Sequence, residues 1–172
     1  IINNNDYDTY VISINGANNI TLKNNTITQE NTEGATHGIQ LENSKYNTIH
    51  NNTINIKGLS YVIQYVNYVG HSNTTAIQGY NSCHNTITEN KINVVATGLG
   101  DASSITDTII GIEFIGNSMD YSNIIEAKNN TIARNTITLD GQSYAYAIKV
   151  ADKADNTNIT YNDIKSHAKG SA

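Results

Sequence analysis

The charged residues are the first candidates for chemistry in this chain. A glycoside hydrolase needs two or three converging carboxylates, one of them with a raised pKa. A polysaccharide lyase needs carboxylates that hold Ca²⁺ and a Lys or Arg that acts as the base. The sequence has 15 Asp and Glu residues but no adjacent pair of Asp, and its only Arg, Arg134, directly precedes an Asn. Whether two carboxylates meet therefore depends on the elements that position them.

Loop acids, histidines and the single cysteine make a weaker case for a metal site. Four acids lie in segments between the apolar runs: Asp101, Asp107, Asp120 and Glu126. They could meet around a cation, but solvated loop acids are the ordinary interpretation. Three histidines could converge on one edge: His37, His71 and His84. Their spacings match no metal motif, so we expect surface histidines and no bound metal. Cys83 has no disulfide partner and is expected to be exposed or half-buried rather than reactive.

Tyrosines are the most informative candidates for binding. The stretch "LSYVIQYVNYV", Leu59 to Val69, holds three of them, and three more border connections of the same kind. These are Tyr61, Tyr65 and Tyr68, and then Tyr80, Tyr144 and Tyr146. Tyr combines a large contact area with a polar tip, which suits recognition of sugars or proteins. The alternative is that the stretch packs on the body of the protein as a short helix or an extra strand.

An internal repeat supplies the elements that position these residues. The pattern is apolar-x-x-Asn-x-Ile, and its internal spacing is identical in five copies. The copies are Leu22/Asn25/Ile27, Ile49/Asn52/Ile54, Ile87/Asn90/Ile92, Ile132/Asn135/Ile137 and Ile159/Asn162/Ile164. Successive copies begin 27, 38, 45 and 27 residues apart, which indicates a unit of constant size with insertions.

The repeat predicts short strands that stack. Alternation such as Ile39-Gln40-Leu41 indicates a strand with one buried face. Such short strands bury that face only by stacking coil on coil, Ile above Ile at about 4.8 Å. We therefore predict an all-β fold: a right-handed parallel β-helix solenoid of about five coils with loop insertions, one domain over residues 1–172. The repeat Asn residues are expected to form tight turns in the left-handed backbone region and to stack as an amide ladder. These residues are Asn25, Asn52, Asn90, Asn135 and Asn162.

The stacking also predicts which outward side chains share a row. The rows are Ser13/Gln40/Gln78/Glu113/Lys149, Lys23/His50/Thr88/Ala133/Thr160 and Thr28/Asn55/Asn93/Thr138/Lys165. None of these rows holds two carboxylates. Glu113 beside Lys149 predicts a cross-strand ion pair worth about a few tenths of a kcal/mol. We therefore expect no catalytic residue in this chain.

The stretch "GIQLENSKYNTIHNNTINI", Gly38 to Ile56, carries a family resemblance. It resembles the right-handed β-helix repeats of the pectin-lyase-like superfamily. It is more closely similar to the Asn/Thr/Ile-rich repeats of archaeal adhesin-like surface proteins, especially those of methanogens. The resemblance covers the chain except its inserts. It implies a cell-surface location and a role in attachment or envelope structure, and it supplies no catalytic motif.

The predicted function is a non-catalytic, adhesin-like β-helix segment that acts as a stalk and displays loops for attachment to cells or glycans. The alternative is a carbohydrate-active β-helix, either a lyase or hydrolase fragment or a phage tailspike-like receptor-binding segment. The expected partners are glycans or proteins on another cell surface, and no cofactor is expected. Charged residues are only 15% and the net charge is −5, which gives no nucleic-acid footprint. No apolar run is long enough to span a bilayer.

Two further expectations concern the environment of the chain. Six sites match the N-glycosylation pattern, but five of them fall inside the repeat, where the fold itself demands Asn and Thr. Asn73, in an insert, is therefore the informative candidate. The chain opens in mid-pattern on "IINNNDYD", and we expect it to be a piece of a longer extracellular protein.

Overall fold

A computed structural model describes residues 10–31, 36–60, 63–65, 68–70, 73–98, 108–116, 126–141 and 144–168. The strands in these residues are β1 Tyr10–Asn15, β2 Thr21–Lys23, β3 Thr26–Glu30, β4 His37–Glu42, β5 Thr48–His50, β6 Thr53–Ser60, β7 Ile63–Tyr65, β8 Tyr68–Gly70, β9 Asn73–Tyr80, β10 Thr86–Thr88, β11 Lys91–Gly98, β12 Thr108–Ile115, β13 Thr131–Ala133, β14 Thr136–Gly141, β15 Tyr144–Ala151, β16 Asn158–Thr160 and β17 Asp163–Ala168. This part of the chain holds no helix that could cross a membrane.

Three parallel sheets of five strands each build the protein, and they confirm the predicted parallel β-helix. The first sheet has the order β1-β4-β9-β12-β15, the second β2-β5-β10-β13-β16 and the third β3-β6-β11-β14-β17. The register is the one that the repeat predicts, because Ile87 pairs with Ile49 on one side and with Ile132 on the other. Each coil thus contributes one strand to each sheet.

Columns of isoleucine fill the interior between the three sheets. Ile49, Ile87 and Ile132 are each 0% exposed, and each such side chain stabilises the fold by roughly 1.5–3 kcal/mol through burial. The last coil differs, since Ile159 is 46% and Ile164 47% exposed. Their strands, β16 and β17, lie at the ends of their sheets and have a described neighbour on one side only.

The tight turns between second and third strands correct one prediction. The left-handed residue is not the repeat Asn but the residue before it, for example Asn51 (φ 51°), Glu89 (φ 58°) and Arg134 (φ 56°). The repeat Asn has another task, the amide ladder, which is confirmed. Asn90 Nδ2 donates to Asn135 Oδ1 at 3.0 Å, and that same oxygen accepts the backbone N–H of Asn90 at 3.0 Å. The buried amide is therefore selected by hydrogen bonding, while the exposed residue before it tolerates several side chains.

A second asparagine ladder lies at the corner between first and second strands, and sequence reasoning missed it. Asn47 Nδ2 donates to Asn85 Oδ1 at 3.1 Å, and Asn85 Nδ2 donates to Asn130 Oδ1 at 3.3 Å. The equivalent residues in the first and last coils are Ile20 and Thr157, so this column is broken at both ends. Serine hydroxyls contribute at the same corner, where Ser82 Oγ donates to the Leu41 carbonyl at 3.0 Å.

One insert adds a pair of strands to the fold, and one glycine makes room for a large side chain in the core. In the Tyr-rich stretch β7 pairs with β8 in antiparallel fashion, so strand rather than helix is observed over these residues. In the first sheet, a Cβ on Gly79 would lie 2.2 Å from the Phe114 ring, so the glycine makes room for the one phenylalanine of the chain. Phe114 pairs with Gly79 in register and is 0% exposed.

Candidate functional surfaces

The outer face of the first sheet carries a connected row of polar side chains. Gln78 Nε2 donates to Glu113 Oε2 at 3.0 Å, and Lys149 Nζ donates to Glu113 Oε1 at 2.7 Å. The row is extended by Tyr10, whose hydroxyl donates to Gln78 Oε1 at 2.7 Å. Tyr10 was not among the predicted residues, although its position 27 residues before His37 places it in the same stack. The face thus presents amide and ammonium groups that the buried Glu113 carboxylate holds in fixed positions.

The predicted ion pair of Glu113 and Lys149 is present, but its setting differs from the expectation. The Glu113 side chain is only 3% exposed, whereas that of Lys149 is 35% exposed. A buried carboxylate depends on its partners, since removing one leaves an uncompensated charge. The pair therefore matters more to stability than the exposed pair that the sequence suggested.

The tyrosine candidates are divided between several places. Tyr144 and Tyr146 are 41% and 44% exposed on β15. Tyr80 ends β9, whereas Tyr144 begins β15, so Tyr80 lies at the opposite end of the first sheet from them. Tyr65 pairs with Tyr68 across the hairpin, where only the backbone is described. Tyr61 lies outside the described residues.

Other exposed aromatic residues lie at the corners. Tyr46 is 56% exposed, and its ring stacks on that of His84, with the ring centroids 5.0 Å apart. Tyr161, which precedes the last ladder Asn, is 86% exposed. Neither was predicted as a binding residue. Each of these two tyrosines directly precedes an asparagine at a corner. A side chain at that position must point outward, and this is the signal in the sequence that could have identified them.

Among the described residues, shallow grooves lie on the outer face of the third sheet. One of about 230 Å³ is lined by residues that include Thr28, Asn55 and Asn93. The other, of about 280 Å³, is lined by residues that include Thr138, Lys165 and His167. The floor residues belong to the third predicted row, and the pairing of β3, β6, β11, β14 and β17 confirms that row.

Those candidates for metal binding that the structure describes do not come together. His37 is buried on the first sheet, whereas His84 is exposed at a corner, and His71 lies outside the described residues. Of the loop acids, Asp101, Asp107 and Asp120 also lie outside them, and Glu126 forms an ion pair with Lys128. The hydrogen bond to Glu126 raises the pKa of Lys128. Glu126 is thus engaged by a lysine ammonium.

Cys83 and Asn73 can each be placed. Cys83 pairs with Lys45, as the repeat predicts, but the expectation that it is exposed or half-buried was wrong. It is 7% exposed, and its Sγ donates to the Glu126 carbonyl at 2.8 Å. The reason is its corner position, where the thiol lies against the Glu126 carbonyl. Asn73 is exposed at the start of β9, as a glycosylation site requires, while Thr74 and Thr75 after it are buried.

Comparison with known proteins gives one match. A family model described as periplasmic copper-binding protein (NosD) matches residues 1–124. A search of curated proteins and a search of solved structures each found no significant match.

The copper in that description can be tested against the side chains. Copper sites in proteins are built from clustered imidazole, thiolate and thioether ligands. The described residues contain no group of three or more His, Cys, Asp or Glu that could hold a metal ion. His50 has a carboxylate, that of Glu89, 3.9 Å away, and Cys83 is turned to a backbone carbonyl. The described residues therefore do not fit a copper centre. The match nonetheless spans residues 1–124 of the 172, and the chain belongs to the NosD family.

Proposed function

We propose that this chain is a non-catalytic β-helix of the cell exterior, adhesin-like in role, that attaches to glycans through the tyrosine-bearing end of its first sheet. The observation that carries the proposal is the pair Tyr144 and Tyr146, both exposed on one strand. Alternate residues of a strand share a face, about 7 Å apart, so the two rings project together from β15. Tyr offers apolar contact to a sugar ring and a hydroxyl to its polar groups.

The rigidity of the sheet supports this role. β15 pairs with β12 in register from Thr108 and Tyr144 onward, so the tyrosines stand on a fixed strand. Side chains held by regular elements lose little freedom when a ligand binds, which favours affinity. Lys149, 35% exposed on the same strand, adds an ammonium donor.

The family supports the location. The description of the NosD family as periplasmic favours a place outside the cytoplasm. We also propose that the chain is more closely similar to adhesin-like surface proteins of archaea and that this domain is part of a longer surface protein. Copper binding is not part of the proposal, because the described residues do not supply a ligand cluster.

The outward rows support a non-catalytic role. Among the described residues, the row of Glu113 holds no second carboxylate, and the rows of His50 and Asn55 hold none. The row of Glu30 holds a second one, Asp140, but three coils away. A glycosidase needs two carboxyl groups about 5–10 Å apart, which would require them on adjacent or nearly adjacent coils. The competing proposal of a carbohydrate-active enzyme predicts cleavage, and release of reducing ends from a panel of polysaccharides would establish it.

Binding to a glycan array and to whole cells tests the attachment. The double variant Tyr144→Ser/Tyr146→Ser should lose binding, while Tyr161→Ser, which removes an 86% exposed tyrosine from a corner, should keep it. A second variant, Tyr65→Ser/Tyr68→Ser, measures the share of the hairpin. Binding that is unchanged in the Tyr144/Tyr146 variant would contradict the proposed surface.

A further inference from the structure

The outer face of the third sheet has a floor of uncharged side chains that runs over four coils, and the charged Lys165 continues the row in the fifth. Thr28 pairs with Asn55, Asn55 with Asn93, and Asn93 with Thr138. All four side chains are half-buried, whereas Glu30, Lys57 and Asp140 in the neighbouring row are exposed. The half-buried row is therefore the bottom of a groove that runs parallel to the axis of the β-helix, and the two cavities of about 230 and 280 Å³ lie along it.

The two asparagines of this floor differ from the asparagines at the corners. At the corners, stacked amides bond to each other, as Asn52 Nδ2 does to Asn90 Oδ1 at 3.0 Å. Asn55 and Asn93 also stack in register, yet within the described residues their side chains make no hydrogen bond. Each amide offers two donor hydrogens and an acceptor oxygen. These groups face the groove at the strand spacing of about 4.8 Å.

The charges on one side of the floor have partners, whereas Lys91 and Asp163 on the other side are exposed. Lys57 Nζ lies 2.5 Å from Glu30 Oε1, and His167 Nδ1 lies 3.1 Å from Asp140 Oδ1. Val95 adds a half-buried apolar side chain to the same wall, against which the C–H face of a sugar ring can pack.

From the periodic free amides and the four uncharged floor positions, we propose that this groove binds a neutral, extended polysaccharide that lies parallel to the axis of the β-helix. One sugar ring of an extended chain advances by a length comparable to one coil. Successive rings therefore meet equivalent side chains: Thr28, Asn55, Asn93 and Thr138. This site is separate from the tyrosines of the first sheet and does not depend on them.

Titration calorimetry with neutral cello-, manno- and xylo-oligosaccharides of increasing length tests the proposal. Affinity should rise with each added ring until the four floor positions are covered and then level off. The variant Asn55→Ala/Asn93→Ala should weaken binding by about tenfold or more, since each lost hydrogen bond accounts for several-fold. Asn158→Ala, which removes an exposed asparagine from β16 on the second sheet, is the matched control and should bind as the unaltered protein does.

Several results would overturn the proposal. They are affinity that does not depend on chain length, equal or tighter binding of oligogalacturonate, preferential binding of an extended peptide, and unchanged binding in the Asn55/Asn93 variant. Circular dichroism of each variant establishes that it is folded. The Tyr144→Ser/Tyr146→Ser variant separates the two surfaces, because it should keep the affinity of the groove even if the attachment proposed for the first sheet fails.

Discussion

Replacing Asn90 with Ala should be among the most damaging single changes in the corners. Asn90 is 1% exposed, and its side chain makes four hydrogen bonds. The oxygen accepts from the backbone N–H and from the Nδ2 of Asn52, at 2.9 and 3.0 Å. The nitrogen donates to the Ile49 carbonyl and to Asn135 Oδ1, at 2.9 and 3.0 Å. Alanine replaces none of these contacts.

The magnitude follows from the partners that are left behind. Asn52 Nδ2 keeps its bond to the Leu22 carbonyl, and Asn135 Oδ1 still accepts the backbone N–H at position 90. The backbone N–H of Asn52 loses its acceptor, and the Ile49 carbonyl loses its side-chain donor. A buried group without a partner costs about 1–3 kcal/mol and an ordinary hydrogen bond contributes about 1 kcal/mol, so the loss should be about 3–5 kcal/mol.

Asn25→Ala is the matched control at the end of the same ladder. Asn25 is exposed, and its side chain only donates, to Asn52 Oδ1 and to the Lys23 carbonyl. Its loss should lower the free energy of unfolding by about 1 kcal/mol. Urea denaturation followed by far-UV circular dichroism measures both variants. Equal losses at positions 25 and 90 would refute the claim that buried amide ladders, rather than isoleucine burial alone, stabilise the corners.

Three further predictions follow from single contacts. Gly79→Ala should destabilise the protein by about 1–3 kcal/mol through its clash with the Phe114 ring, and adding Phe114→Leu should recover part of that loss in a urea titration; no recovery would contradict the contact. Lys149→Met should lower the free energy of unfolding by about 2 kcal/mol because it leaves a buried carboxylate unpaired. Glu113→Gln in the same chain should restore most of that loss. If the losses from the two substitutions add instead, the result contradicts the buried ion pair. Cys83 should react with a maleimide only slowly until urea unfolds the chain, whereas labelling at the rate of a free thiol would show that its 7% exposure is wrong.

The sequence alone predicts the stack because the repeat acts through two simple physical demands. Ile must be buried, and strands must pair, so Ile49, Ile87 and Ile132 fall into register without further information. The same register gave the outward rows correctly, including the contact between Glu113 and Lys149.

Other features depend on contacts that one sequence does not display. The interpretation of the repeat Asn as the left-handed residue was wrong. Asn suits both a positive φ and a buried amide ladder, so its identity alone does not distinguish these two roles. Only the neighbouring residues, such as Glu89 and Arg134, show where the positive φ lies. The second ladder escaped notice because Ile20 and Thr157 interrupt its column. Burial of Cys83 arises from residues distant in the chain, as its bond to the Glu126 carbonyl illustrates.

Disulfide trapping across neighbouring coils tests the in-register stack most directly. In a Cys83→Ala background, Thr86→Cys and Thr131→Cys place thiols on residues that pair in the second sheet. Paired residues lie about 4.8 Å apart, within the range of about 4.4–6.8 Å between the Cα atoms of a disulfide. The control joins Thr88→Cys to Thr131→Cys, which the register offsets by two residues, to about 8 Å. Mild oxidation followed by mass spectrometry should find the 86–131 disulfide and little of the 88–131 one. Equal yields, or a preference for 88–131, would contradict the stacked register on which the fold and both proposed surfaces depend.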